Sequence, residues 1–100
     1  MGSKAREEPA PFGRACGKAL RLMRRSRGLS LDELGKGTGI SGKQWSRIER
    51  GDTPLTVDRL DSAARFMRSS VVDVITTADQ IVLLDERMAG GSLGALGWGA

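Results

Sequence analysis

Apolar residues recur along the chain at spacings of three and four, with polar residues between them. Cys16, Leu20 and Met23 form one such stripe, and Trp45 and Ile48 form another farther along. Because 3.6 residues make one turn of an α-helix, apolar side chains at these spacings lie on one face of the helix. The pattern therefore predicts amphipathic helices, and the chain shows no alternation of the kind that predicts β-strands.

Capping residues and glycines mark the ends of the predicted helices. Ser30 with Glu33, and Ser41 with Gln44, have the spacing of capping boxes, in which each side chain bonds to the other residue's backbone amide. Gly51 is suited to end a helix because glycine adopts the left-handed conformation without strain. These signals predict six helices, at about residues 12–27, 31–37, 42–50, 57–67, 71–76 and, after a cap at Thr77, 78–89.

The chain divides into three predicted parts. Residues 1–11 contain two prolines and few apolar groups, which is typical of a loose arm. Residues 12–77 hold the first five predicted helices and form the expected domain. Residues 78–100 form an expected C-terminal helix and tail, and five glycines among the last eleven residues make ordered structure costly in that tail.

The net charge of +4 conceals a basic first half. Positions 13–50 carry ten lysines and arginines against three carboxylates, whereas the rest of the chain is balanced or mildly acidic. Such an asymmetry favours a polyanionic partner such as nucleic acid, and a solvated charged surface is the alternative.

The residue types that are missing narrow the function further. The chain has one cysteine and no histidine, so it has no pair for an internal disulfide, no imidazole base and no usual zinc ligand set. We therefore expect no catalytic residue, no metal and no cofactor. The lack of a secretory leader and of a 20-residue apolar run predicts a cytoplasmic protein.

The strongest signal is residues 29–51, where two short capped helices are joined by a glycine turn. This stretch resembles the Cro/repressor family of helix-turn-helix proteins, also called the xenobiotic-response-element type, and the resemblance extends over about residues 13–77. The matching residues are Arg24, Gly28, Leu29, Ser30, Leu34, Gly39, Ile40, Ser41, Trp45, Ser46, Ile48, Glu49, Gly51, Leu60, Ala64 and Met67. The resemblance implies an all-α, lambda-repressor-like five-helix DNA-binding domain, to which a sixth C-terminal helix and a Gly-rich tail are added here.

The resemblance also implies roles for individual residues. Lys43, Gln44 and Arg47 match positions that reach base edges in the major groove of double-stranded DNA. Arg24 and Glu49 match a partly buried ion pair that ties the first helix to the third. The predicted phosphate contacts are Ser41, Arg50, Thr53, Thr56, Arg25 and Lys36. Of these, Arg25 and Lys36 do not lie at positions that match the family and are included because they extend the basic surface.

Two departures from the family pattern concern glycines. Gly42 removes a side chain at the front of the reading helix. Gly35 stands where the family usually has alanine, and we relate this to the bulk of Trp45.

Two functions remain open from these residues. The first is a homodimeric repressor, of the phage or mobile-element type, that binds a palindromic operator. Its dimer surface would use the apolar stripe of the last helix, which lacks an obvious partner, together with the tail. The predicted dimer residues are Ile81, Leu84, Met88, Leu93, Leu96 and Trp98. The alternative is an antitoxin or similar interaction module, whose C-terminal segment binds a partner protein while the helix-turn-helix regulates its own operon.

Overall fold

The computed structural model describes residues 10–89, and these residues form five α-helices without any strand. The helices in chain order are α1 (Pro11–Ser26), α2 (Leu31–Thr38), α3 (Gly42–Arg50), α4 (Val57–Phe66) and α5 (Val71–Ala89). The fold is therefore all-α, as the periodicity predicts. None of the helices in this part of the chain is long and apolar enough to cross a membrane.

The helix ends follow the local signals of the sequence. Pro11 is the first residue of α1, where its missing N–H costs no hydrogen bond. Ser30 and Glu33 form the complete capping box at the start of α2, with N–O distances of 3.0 and 2.8 Å. Gly39 and Gly51 follow α2 and α3 with φ of 78° and 80°, which is the left-handed conformation that favours glycine.

The core lies between α1 and the other helices. Leu20, Leu34, Trp45, Ile48 and Val74 are its largest fully buried side chains. Each such side chain contributes about 1.5–3 kcal/mol on removal from water. Helix α1 packs against α3 and α5, while α2 packs against α3 and α4. The core predicted at Cys16, Trp45 and Ile48 is confirmed.

Two glycines allow the backbones of neighbouring helices to approach closely. A Cβ atom on Gly17 in α1 would overlap the carbonyl oxygen of Ile48 in α3. A Cβ atom on Gly35 would lie 2.9 Å from both the Gly42 nitrogen and the Ile40 carbonyl oxygen. The turn between α2 and α3, and not the bulk of Trp45, therefore excludes a side chain at position 35.

The C-terminal region differs from the prediction of two helices. Residues 71–89 form one continuous helix, α5, so the prediction of separate helices at 71–76 and 78–89 is wrong. The Thr77 hydroxyl donates to the Asp73 carbonyl oxygen at 3.0 Å, one turn earlier, and does not cap a new helix. Ala78 is fully buried and is a good helix former, so the residues at the predicted break favour continuation.

Helix α5 also has a partner within the chain, contrary to expectation. Val74 and Ala78 are fully buried, and Ile81 and Val82 are half-buried against the same core. Leu84 and Met88 leave 54% and 79% of their surface exposed. Of the predicted apolar stripe, only the part after Ile81 remains uncovered.

Candidate nucleic-acid interface

Helices α2 and α3 are joined by a three-residue turn and held together by one buried side chain. Trp45 in α3 is fully buried, and its indole N–H donates to the Thr38 hydroxyl at 2.8 Å. Thr38 in turn donates to the Leu34 carbonyl oxygen at 2.8 Å. Because both polar groups are satisfied, the tryptophan packs without an unpaired donor. The two helices thus form one rigid unit.

A buried ion pair connects this unit to α1. Arg24 donates through Nε to Glu49 Oε2 at 2.8 Å and through Nη2 to Oε1 at 2.9 Å, and its Nη1 donates to the Leu29 carbonyl oxygen at 2.8 Å. The two side chains are 9% and 4% exposed. The hydrogen bonds with Glu49 raise the pKa of Arg24. The planar two-bond geometry fixes the orientation of α3 on α1, as predicted for this pair.

The outer face of α3 carries two exposed cations without partners. Lys43 and Arg47 are exposed, and neither side chain has a hydrogen bond or ion pair within residues 10–89. They lie one turn apart, opposite the buried Trp45 and Ile48. The arrangement offers two long donors on a helix whose other face is firmly held.

Gln44 occupies a different place from its two neighbours. Its side chain is half-buried, and its backbone amide donates to the Ser41 hydroxyl at 3.1 Å. The return bond expected for a capping box, from the Ser41 amide to the Gln44 side chain, is not formed in the described part of the chain. The side-chain carboxamide of Gln44 is therefore available to a ligand at the edge of the outer face of α3.

Four of the six predicted phosphate contacts lie between the start of α3 and the start of α4. Ser41 caps α3, and Thr56 caps α4 by accepting from the Arg59 amide at 3.1 Å. Thr53 is half-buried in the loop between them. Arg50 donates to Asp52 Oδ2 and to the Ser46 hydroxyl, both at 3.1 Å. Asp52 thus offsets part of the charge that Arg50 would offer to a phosphate.

Arg25 belongs to a small basic concavity that residue-by-residue reasoning missed. The concavity measures about 180 Å³ and also contains Arg21 and Arg50 beside the buried Arg24–Glu49 pair. Arg21 lies four residues, or one helical turn, before Arg25 in α1. That spacing was the signal in the sequence that could have identified Arg21 as a further phosphate contact. Such a cluster of guanidinium groups suits a phosphate.

Lys36 lines a second, wider depression on the outer side of α2 and α3. This depression measures about 390 Å³ and is also lined by Asp32 and Gly42. It lies beside the first turn of α3, at the end of the helix that the family resemblance directs toward bases.

The predicted dimer residues fall into two groups. Ile81, Leu84 and Met88 lie on α5, with the exposures given above. Leu93, Leu96 and Trp98 lie outside the described residues.

Comparison with known proteins identifies the family. A family model described as "Helix-turn-helix domain" matches residues 15–74. Two crystal structures of the clp gene regulator ClgR from Corynebacterium glutamicum are similar to this chain. One is 32% identical, with 69% of this chain and 90% of that chain covered and a TM-score of 0.67. The other is 30% identical, with 90% and 93% covered and a TM-score of 0.74. The chain belongs to the helix-turn-helix domain family and is a DNA-binding protein of that class.

Proposed function

We propose that this chain is a sequence-specific transcriptional regulator of the Cro/repressor type, which inserts the outer face of α3 into the DNA major groove. The observation that carries the proposal is that Lys43 and Arg47 are exposed and have no partner within residues 10–89. Both lie on a helix that is fixed by Trp45 and by the Arg24–Glu49 pair. A major groove about 12 Å wide admits one helix. Recognition of bases in that groove requires a helix with a fixed backbone and side-chain donors that are free to bond to the base edges.

The charge distribution supports the same surface. Ten of the 16 lysines and arginines lie between positions 13 and 50, which form α1 to α3. Contacts from this surface to phosphates would release counterions, so affinity should fall steeply as salt rises. Arg21 and Arg25 are the exposed guanidinium groups that we assign to the DNA backbone. The proposal includes no catalytic step and no cofactor.

Selection of bound DNA from a random pool tests the base-reading assignment. We expect Arg47→Ala to lose preference at one position of each half-site, with a cost of about 1–3 kcal/mol on the preferred sequence because a bidentate contact to guanine O6 and N7 is removed. Gln44→Ala should lose preference at another position. Both changes are read as base frequencies in the selected pool.

Arg65→Ala is the matched control, because Arg65 is an exposed arginine near the end of α4 that pairs with Asp61 and lies outside the residues assigned to DNA and to the dimer. It should leave the selected sequence unchanged. If Arg47→Ala and Gln44→Ala keep the wild-type sequence and lose only overall affinity, these residues contact the backbone and the assignment is wrong.

We further propose that the protein is a homodimeric repressor. Two-fold symmetry would place two α3 helices about 34 Å apart on a palindromic operator. Residues 12–77 would bind DNA, and residues 78–100 would supply the dimer surface through Leu84 and Met88, whose apolar surface is exposed in one chain. The similar proteins are named as a gene regulator, which supports a role in transcription.

Leu84→Asp should convert the dimer to a monomer, because a carboxylate would be buried without a partner at the centre of the interface. Val72→Asp is the control, since Val72 is 70% exposed on another side of α5. Light scattering coupled to size-exclusion chromatography measures both masses. A wild-type monomer, or an unchanged mass for Leu84→Asp, would refute this dimer surface.

The same exposed stripe would also suit the antitoxin alternative. In that case the wild-type chain alone would be a monomer and would acquire its assembly only with a partner protein. The mass of the pure chain in solution therefore distinguishes the homodimeric repressor from the antitoxin.

A further inference from the structure

The carboxylate of Asp32 lies at the front of α3, although the residue belongs to α2. Its Oδ1 is 3.1 Å from the place that a Cβ atom of residue 42 would occupy. Asp32 is exposed, and it has no hydrogen bond or ion pair within residues 10–89. The Asp32 carboxylate thus lies beside the place that a side chain at position 42 would take, as does the Leu31 carbonyl oxygen, also at 3.1 Å.

Position 42 is where a base-reading side chain would be expected. Gly42 is the first residue of α3, and the N-terminal residues of a recognition helix are those that contact base edges. Gly42 has no side chain with which to do so. Among the three heavy atoms nearest to the place of that Cβ atom, the one that belongs to a side chain is Asp32 Oδ1, and the other two belong to the Leu31 carbonyl group.

We propose that Asp32 is a specificity-determining residue, whose carboxylate accepts a hydrogen bond from the N4 amino group of a cytosine. The inference rests on the proposed function, since it requires α3 to lie in the major groove. A carboxylate only accepts hydrogen bonds, so it needs a donor on the base edge. Cytosine and adenine both offer an amino group there, but adenine also presents the N7 acceptor, which repels a carboxylate.

Rejection of other bases contributes as much as the bond itself. At a guanine or thymine in the same place, the carboxylate would face acceptor atoms and lose its water without gaining a donor. Asp32 also repels the phosphates in general, so it lowers affinity for every sequence and lowers it least where cytosine is present. This is specificity obtained by disfavouring the wrong sites.

A negative charge near a helix start also stabilises the helix, and that effect has to be separated from base reading. Asp32 is the second residue of α2 and Asp58 is the second residue of α4, each after a hydroxyl cap. Removing either carboxylate should therefore lower the stability to a similar extent, through the loss of a favourable interaction with the helix dipole. Asp58→Ala is therefore a control matched in charge, in helix position and in size of the change.

The experiment is selection from a random DNA pool with the wild-type chain, Asp32→Ala and Asp58→Ala. We expect wild type and Asp58→Ala to enrich cytosine at one position of each half-site, by about 5- to 150-fold over the other bases. Asp32→Ala should lose that preference, retain the positions read by Arg47, and bind unselected DNA more tightly than wild type.

A second variant restores a side chain at the vacant position. The added methyl group of Gly42→Ala would lie 3.1 Å from both Asp32 Oδ1 and the Leu31 carbonyl oxygen. The carboxylate is the group of the two that can rotate away, so it should be displaced and the same half-site position should lose its cytosine. If Asp32→Ala keeps the wild-type base frequencies at every position, the role of Asp32 is overturned while the proposed function stands. If the wild-type chain enriches no sequence, both are overturned.

Discussion

Glu49→Ala should lower the free energy of unfolding by about 3–5 kcal/mol, because it leaves the Arg24 guanidinium buried without a counter-charge. Arg24 is only 8% exposed, so water cannot replace the lost carboxylate. The loss would also free the Leu29 loop and the end of α3, since Arg24 bonds to both. Urea-induced unfolding followed by circular dichroism at 222 nm measures the effect.

Replacing both partners should harm the fold less than replacing one. In the double variant Arg24→Met with Glu49→Leu, no unpaired charge remains, and apolar side chains of similar volume fill the space. We expect it to be more stable than Glu49→Ala. A double variant that loses as much stability as Glu49→Ala, or more, would show that the pair contributes net stabilisation and not only orientation.

Gly17→Ala should destabilise the domain by about 1–3 kcal/mol, although alanine is the better helix former. The added methyl group would overlap the carbonyl oxygen of Ile48, so α1 and α3 must separate. Because backbone cannot rotate away as a side chain can, the strain reaches the Arg24–Glu49 pair as well. Thermal unfolding monitored by circular dichroism at 222 nm reports the change.

Gly13→Ala is the control on the same helix. A Cβ atom there would meet no atom of residues 10–89 within 4 Å, so the gain in helix propensity is the expected effect. We expect Gly13→Ala to raise stability by about 0.5–1 kcal/mol. If the two substitutions have effects of the same sign, the close approach of α1 and α3 at Gly17 is not as described.

Local signals predicted most of the fold because caps, breakers and periodicity act over a few residues. The capping box at Ser30 and the left-handed glycine at position 51 are complete within one turn of chain, and both are confirmed. The continuity of α5 was missed because Thr77 is compatible with a cap and with a helix interior. Burial of Ala78 in the shared core decides between them, and that packing is not local in the sequence.

The sequence predicted those site residues whose exposure depends only on their position around their own helix. Lys43 and Arg47 lie on the exposed face that the spacing of Trp45 and Ile48 implies. Asp32 could not be assigned in this way, because its place beside position 42 depends on how α2 packs on α3. The same holds for Gly17, whose role is visible only from the carbonyl group of another helix.

Methylation interference on a DNA site obtained by selection tests the central claim most directly. Methyl groups on guanine N7 lie in the major groove, and those on adenine N3 lie in the minor groove. The account predicts that N7 methylation blocks binding at defined guanines, and that Arg47→Ala becomes insensitive at one of them in each half-site. Interference confined to adenine N3, or equal sensitivity of wild type and Arg47→Ala at every guanine, would contradict it.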